Sequence, residues 1–213
     1  MRKKNLRGKK CFSMIWLKMT GISGIIAPLI TFTLILLAIA YSPNFSWTEN
    51  ALSDLGVQEG VTAVIFNTGL IIGGVLAILF ATGLFTFLQG NLLSRIGTFA
   101  FVLDALALTV IGLFPENVKP IHLYASVAFF TLFPISMFFL GTAFLRISKM
   151  KLGFFTFIAA IVAAIVWTIP FSKGVAIPET LSGLSVSIWL MVLGFKMLHV
   201  QRNMKGIYTY ILF

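Results

Sequence analysis

Long apolar stretches, separated by short polar segments, run through the whole chain. A helix that crosses a bilayer needs about 20 apolar residues, and six stretches qualify: 19–41, 62–88, 95–114, 121–145, 152–171 and 179–198. The strands of a membrane β-barrel would instead alternate apolar and polar residues, which segment 71–80 (IIGGVLAILF) does not do. The pattern therefore predicts an all-α fold, a polytopic bundle of six transmembrane helices.

The composition agrees with a chain that lies in lipid. Of 213 residues, 59% are hydrophobic and only 10% are charged, whereas a soluble domain carries about 25% charged residues. We therefore expect a multi-pass protein of the cell membrane. Its single transmembrane domain, 19–198, lies between a basic N-terminal segment, 1–18, and a short C-terminal tail, 199–213.

The positions of Lys and Arg predict the orientation of the bundle. Fourteen of the sixteen basic residues lie in the N-terminal segment, in the turns near 89–95 and 146–151, or at the C-terminal end. Lys119 and Lys173 are the two on the opposite side. Because basic residues are enriched in cytoplasmic segments, both termini are predicted to be cytoplasmic.

The basic N-terminal segment also bears on the partners of the protein. Basic clusters beside a hydrophobic span usually fix topology and contact anionic headgroups. No zinc-finger or basic-leucine pattern accompanies the net charge of +10. We expect membrane lipids as partners, and no nucleic acid.

The first span has an alternative interpretation as a cleaved signal peptide ending near Ala38-Ile39-Ala40. Cleavage there would leave five spans. The apolar run is longer than the 7–15 residues of a signal peptide, which favours a retained first helix.

A GxxxG pair, Gly69 and Gly73, lies in the second span. Small residues at this spacing let membrane helices approach closely. We favour packing within the chain over an oligomer formed through these glycines.

Asp104 is the residue most suggestive of function, because it lies near the middle of the third span. A carboxylate at that depth costs at least about 2.5–3.5 kcal/mol and usually faces the bundle interior or a wet cavity. Two interpretations stay open. One is an ion, proton or headgroup site, and the other is a protonated Asp bonded to a neighbouring helix.

A second group of polar residues lies on the side opposite the basic turns. Because short connections make consecutive helices neighbours, four of these side chains are predicted to converge at one outer mouth: Asp54, Asn67, Glu116 and His122. Ser53 adds a hydroxyl, and Asp104 would lie roughly 16 Å below Glu116. The alternative is that the loop residues only cap helices and contact water.

The sequence carries no established catalytic or metal-binding signature. It lacks the GxSxG and HExxH motifs. Cys11 is the single cysteine, so a disulfide within the chain is excluded. Only two histidines are present, so a zinc site built on several histidines is excluded as well. We expect neither a metal nor a cofactor.

Three segments in fixed order, ENALSDLG, IFNTGLIIGG and LFPENVKPIH, resemble a family of small six-span membrane proteins known as domain of unknown function 998. The resemblance runs from the first span to the sixth. It implies a set of family motif positions, and it implies no activity. Those positions are Ser53, Asp54, Gly56, Asn67, Pro115, Glu116 and His122.

Three functions compete on this sequence. The first is a non-enzymatic membrane protein that binds lipid or a partner, which fits a compact bundle without a catalytic signature. The second is a small ion-coupled transporter using Asp104, and the absence of two similar halves weighs against it. The third is a lipid-acting hydrolase with an outer Asp/Glu/His site.

Overall fold

The computed structural model describes the backbone of residues 2–88, 90–202 and 208–210, and the side chains of 13–88 and 90–200. Six of its helices are long and apolar enough to cross a membrane. These are α1 (Arg2–Ala40), α2 (Val61–Phe87), α3 (Leu92–Leu113), α4 (Ile121–Arg146), α5 (Met150–Ile165) and α6 (Ala176–Leu198). The predicted all-α membrane bundle is confirmed.

Four helix boundaries differ from those predicted by three residues or more. Helix α3 begins at Leu92, three residues before its predicted start. Helix α1 begins at Arg2, because Lys and Arg are good helix formers and nothing in the basic segment stops the helix. Helix α5 ends at Ile165 and continues as a short 3-10 helix, Val166–Thr168. Pro170 explains the early end, since the residue before a proline avoids the helical region and Ile169 is extended. Helix α6 begins at Ala176, three residues before the predicted start.

The C-terminal tail is only partly described. A strand β1 (Val200–Arg202) pairs antiparallel with β2 (Tyr208–Tyr210). The side chain of Cys11 lies outside the described residues, as do those of Arg202 and Lys205.

The six helices form a closed ring in which each packs against the next and α6 packs against α1. The connections 41–60, 114–120 and 169–175 lie at one end of the bundle, here called the loop end. The turns 88–91 and 147–149 and the C-terminus of α6 lie at the other, the turn end.

The interior of the ring is filled by four buried aromatic rings, here called the aromatic plug: Phe80, Phe101, Phe133 and Trp189. Trp189 contacts the other three at ring-centroid distances of 5.4 to 6.3 Å. Its indole N–H donates to Thr156 Oγ1 at 3.1 Å, so its one polar group is satisfied inside the core. The plug closes the bundle interior toward the turn end.

The GxxxG pair lies against α1. A Cβ added at Gly69 would lie 2.9 Å from Leu34 Cβ, and one at Gly73 would overlap Thr31 Oγ1. The Thr31 hydroxyl donates to the Gly69 carbonyl at 3.2 Å. Glycine at these positions therefore permits the close α1–α2 contact in this chain.

Candidate functional site

The loop half of the bundle contains a cavity of about 100 Å³, here called the inner cavity. Residues of α1, α2, α3, α4 and α6 line its sides, and Leu52 and Ser53 of the first connection also line it. Phe101 of the aromatic plug is another of its lining residues. The inner cavity is therefore bounded by the plug on its turn-end side.

Asp104 lines the inner cavity and is 1% exposed. It lies nine residues before the end of α3, or about 14 Å below the loop end at 1.5 Å per residue. Its Oδ1 atom is buried and has no hydrogen-bond partner among the described residues. Most buried polar atoms are paired, so this oxygen is available to a ligand in the cavity.

A second and larger space of about 920 Å³, here called the outer groove, opens beside α4 near the loop end. Helix α4 lines it from His122 to Ile135, a length of about 20 Å at 1.5 Å per residue. The opposite side is formed by Ala164 near the end of α5, by Trp167 in the 3-10 helix that follows, and by the start of α6. Most of this length is apolar, and polar side chains gather at the loop end.

The inner cavity and the outer groove have one wall in common. Four residues line both spaces: Ser53, Ser126, Phe130 and Glu179. Phe130 is held against Trp167 at a ring-centroid distance of 4.5 Å, and the Trp167 indole N–H donates to Ser182 Oγ at 3.0 Å. A few ordered side chains therefore separate the two spaces.

Glu179 is a site residue that the sequence interpretation did not include among its candidates. Its Oε2 accepts a hydrogen bond from the backbone N–H of Leu52 at 2.6 Å, which fixes the first connection over α6. The available signal was an acid at the first position of the predicted sixth span, 179–198. Because α6 begins at Ala176, Glu179 is in the first helical turn, and it lines both spaces.

Glu116, Lys119 and His122 form the polar end of the outer groove with Ser53 and Glu179. Glu116 Oε2 is buried without a hydrogen-bond partner among the described residues. His122 Nδ1 lies 2.9 Å from the Phe114 carbonyl oxygen, which can only accept, so Nδ1 carries the proton. A neutral ring then has Nε2 as an acceptor. The groove end thus carries charges of both signs.

No metal centre is formed within the part of the chain that the structure describes. There, no group of three or more His, Cys, Asp or Glu side chains is placed to hold an ion.

Residues 25–196 match the family described as "Protein of unknown function (DUF998)". The chain belongs to the DUF998 family. Neither a curated protein nor a solved structure matches the chain. The DUF998 match extends from within α1 to within α6 and contains every site residue described above.

The positions that the sequence resemblance implied as family motifs divide into two groups in the structure. Ser53, Glu116 and His122 line the outer groove. Asp54 Oδ2 instead accepts from Ala51 N–H at 3.0 Å and from the Asn50 side-chain amide at 2.8 Å. Glu116 and His122 therefore lie together at the polar end of the groove. Asp54 holds the fold of the first connection and, like Glu116, lies close enough to Glu179 for an electrostatic interaction.

The side chain of Asn67 in α2 also holds the first connection in place. Its amide donates to the Gly56 carbonyl at 2.9 Å, and a Cβ added at Gly56 would lie 2.7 Å from Asn67 Oδ1. The glycine of the SDLG motif is thus needed for close approach of the connection to α2. Asn67 lines neither of the two spaces.

Proposed function

We propose that this DUF998 protein binds a membrane phospholipid in the outer groove without converting it. The observation that carries the proposal is the groove itself, a space of about 920 Å³ with a long apolar wall and a charged end. An amphiphile with one polar head and a long apolar tail matches that distribution.

The dimensions of the groove suit an acyl chain. Its length of about 20 Å along α4 exceeds half of the roughly 30 Å hydrocarbon core of a bilayer. Leu123, Val127 and Ile135 line it and remain 59%, 53% and 48% exposed. An acyl chain in the outer groove exchanges contacts with bilayer lipids for contacts with the protein. Selectivity for one phospholipid over another therefore has to come from the charged end of the groove.

The charged end suits a zwitterionic phospholipid headgroup. Lys119 offers a cation for a phosphate, in the way Lys commonly binds phosphate as a point charge. Glu116 and Glu179 offer carboxylates for an amine, and Glu116 Oε2 has no partner of its own among the described residues. Headgroup contacts of both signs favour binding of a zwitterionic lipid over an anionic one.

Two further considerations favour binding over the alternatives of transport and hydrolysis. The aromatic plug lies on the turn-end side of the interior, and its apolar rings disfavour the passage of an ion in that direction. His122 Nδ1 is engaged by a backbone carbonyl. A Ser–His–carboxylate relay needs that nitrogen for its carboxylate.

We also propose that the turn end, with the N-terminal basic segment, faces the cytoplasm of a cell membrane. The fourteen-to-two partition of basic residues supports this orientation through the positive-inside rule.

Lipid binding in the outer groove is tested by a substitution that fills the groove with a larger side chain. Ala164→Phe places a ring in the groove from α5. Val162→Phe is the matched control, because Val162 is 39% exposed on the same helix and does not line the groove. Each purified protein is equilibrated in micelles with phosphatidylethanolamine, phosphatidylcholine and phosphatidylglycerol of identical acyl chains. Retained lipid is then counted by native mass spectrometry.

We expect the wild type and Val162→Phe to retain one zwitterionic phospholipid, and Ala164→Phe to retain at least tenfold less. Equal retention by all three proteins, or retention by none, overturns the proposal. Conversion of the added lipid to a lysolipid or a free headgroup would replace binding with hydrolysis.

A further inference from the structure

The inner cavity has a feature that phospholipid binding in the outer groove does not use. Asp104 is buried, it lines the cavity, and one of its carboxyl oxygens has no hydrogen-bond partner among the described residues. An uncompensated carboxyl group at this depth is costly. A ligand that supplies a hydrogen-bond donor or a positive charge would remove much of that cost.

The ionisable side chains that line the inner cavity are all acidic. Its lining includes Asp104 and Glu179, and it includes no Lys, Arg or His. A cation entering this space meets only acidic groups, and in a low-dielectric interior their attraction is much stronger than in water. The cavity therefore favours a positively charged ligand over a neutral or anionic one of equal size.

The other residues that line the inner cavity favour an organic cation over a metal ion. Five phenylalanines line the inner cavity: Phe32, Phe66, Phe101, Phe129 and Phe130. Aromatic faces attract organic ammonium ions through cation–π interactions. A hard metal cation needs about six oxygen ligands. Among the described residues, no group of three His, Cys, Asp or Glu side chains is placed to hold such an ion.

The volume of the cavity limits the size of the ligand. An engineered apolar cavity of about 150 Å³ holds benzene, which has six heavy atoms. A cavity of about 100 Å³ therefore suits a group of roughly four or five heavy atoms.

We infer that the inner cavity is a binding site for a small organic ammonium group, which donates to Asp104 and is enclosed by phenylalanine rings. The group is a free alkylamine or the ammonium end of a larger amphiphile. In the second case, the rest of the molecule passes through the wall between the inner cavity and the outer groove. That wall is formed by Ser53, Ser126, Phe130 and Glu179. The inference stands separately from phospholipid binding.

The test uses butylammonium chloride as the probe, because it has five heavy atoms and one charge. 1-Butanol is its neutral counterpart, and sodium chloride at equal concentration controls for ionic strength. Thermal unfolding of the full-length protein in micelles is followed by tryptophan fluorescence, since a ligand that binds only the folded state raises the unfolding temperature. Apparent Kd values come from the concentration dependence.

Asp104→Asn removes the ionisable group and keeps the size of the side chain. Thr98→Val is the matched control. Thr98 lies on the same helix, its buried hydroxyl also has no partner among the described residues, and it does not line the cavity. We expect butylammonium to stabilise the wild type and Thr98→Val, and to bind Asp104→Asn at least tenfold more weakly. 1-Butanol should stabilise none of them.

Equal stabilisation of the wild type and Asp104→Asn by butylammonium overturns the inference, as does equal stabilisation by 1-butanol. If Asp104→Asn does not fold, the comparison is made on the wild type alone. A tetramethylammonium arm then tests for the hydrogen bond to Asp104, because this cation has a positive charge and no N–H. Butylammonium binding without a tetramethylammonium effect supports a donor to Asp104, and no effect of either cation overturns the site.

Discussion

The carboxylate of Glu179 accepts a hydrogen bond from the backbone N–H of Leu52 across 127 residues of sequence. The bond joins the first turn of α6 to the connection between α1 and α2. Two backbone bonds support the same contact, from Gly174 N–H to Thr48 O and from Ala176 N–H to Asn50 O. The connection is thereby held over the loop end, where Leu52 and Ser53 line the inner cavity.

Glu179→Ala should loosen this connection. A hydrogen bond to a charged group contributes about 1.5–3 kcal/mol, so the free energy of local opening should fall by about that amount. Amide hydrogen exchange of Leu52–Val57 should then accelerate by roughly tenfold or more. Glu49→Ala is the control, because Glu49 is 58% exposed and lies 4.0 Å from Lys173. If both variants exchange at the wild-type rate, the Leu52 contact does not hold the connection.

Asp54→Ala should destabilise the fold and leave phospholipid retention unchanged. The change removes the acceptor of Ala51 N–H and of the Asn50 amide. Both donors are half-buried, so the cost should lie near the lower end of the roughly 1–3 kcal/mol for an orphaned buried donor. Asp54→Asn should cost less, since its amide oxygen still accepts. Unfolding in mixed micelles gives the free energies, and lipid counting gives retention. If the Asp54→Asn protein folds but retains less lipid than the wild type, Asp54 is part of the binding site.

Gly73→Ala should destabilise the α1–α2 contact. The new methyl group would overlap Thr31 Oγ1, and overpacking of this kind costs about 1–3 kcal/mol. Gly183→Ala is the matched helical control, because the nearest atom to its Cβ would be Phe32 Cζ at 3.4 Å. That variant should be neutral or gain up to about 1 kcal/mol of helix propensity. Equal free energies of unfolding for the two variants would contradict the close contact.

The proposed orientation predicts which end of the bundle reacts with a reagent added outside the cell. In a Cys11→Ser background, Lys173→Cys at the loop end should react with a membrane-impermeant maleimide in intact cells. Lys151→Cys, near the turn end, should react only after permeabilisation. Both side chains are exposed, so access to the reagent decides the result. The reverse pattern of labelling would invert the proposed topology.

The fold was predictable from the sequence because lipid imposes a strong rule. Apolar helices have to satisfy every backbone group internally, so six long apolar stretches lead directly to six helices. Their ends were less predictable, since α1 extends back to Arg2 and α5 ends before Pro170. The ends of these helices depend on local helix propensity and on proline geometry. Neither changes the apolar pattern from which the helices were predicted.

The candidate site was predictable only in part. The position of Asp104 in an apolar span indicated an interior placement, and the buried cavity contact agrees with it. The separate roles of Asp54 and Glu179 were not predictable, because both are acids beside the same connections. Which acid folds the connection and which faces the cavity depends on backbone contacts between segments distant in sequence, such as Leu52 with Glu179.

The aromatic plug has a consequence for the integrity of the membrane. An acid such as Asp104 in a bundle open at both ends would invite leakage of protons and salt. Trp189 instead packs against three phenylalanines and bonds Thr156, so packed aromatic rings lie between Asp104 and the turn end. Such a layer lets the chain keep a buried acid within the bundle while it opposes the passage of ions across the bilayer.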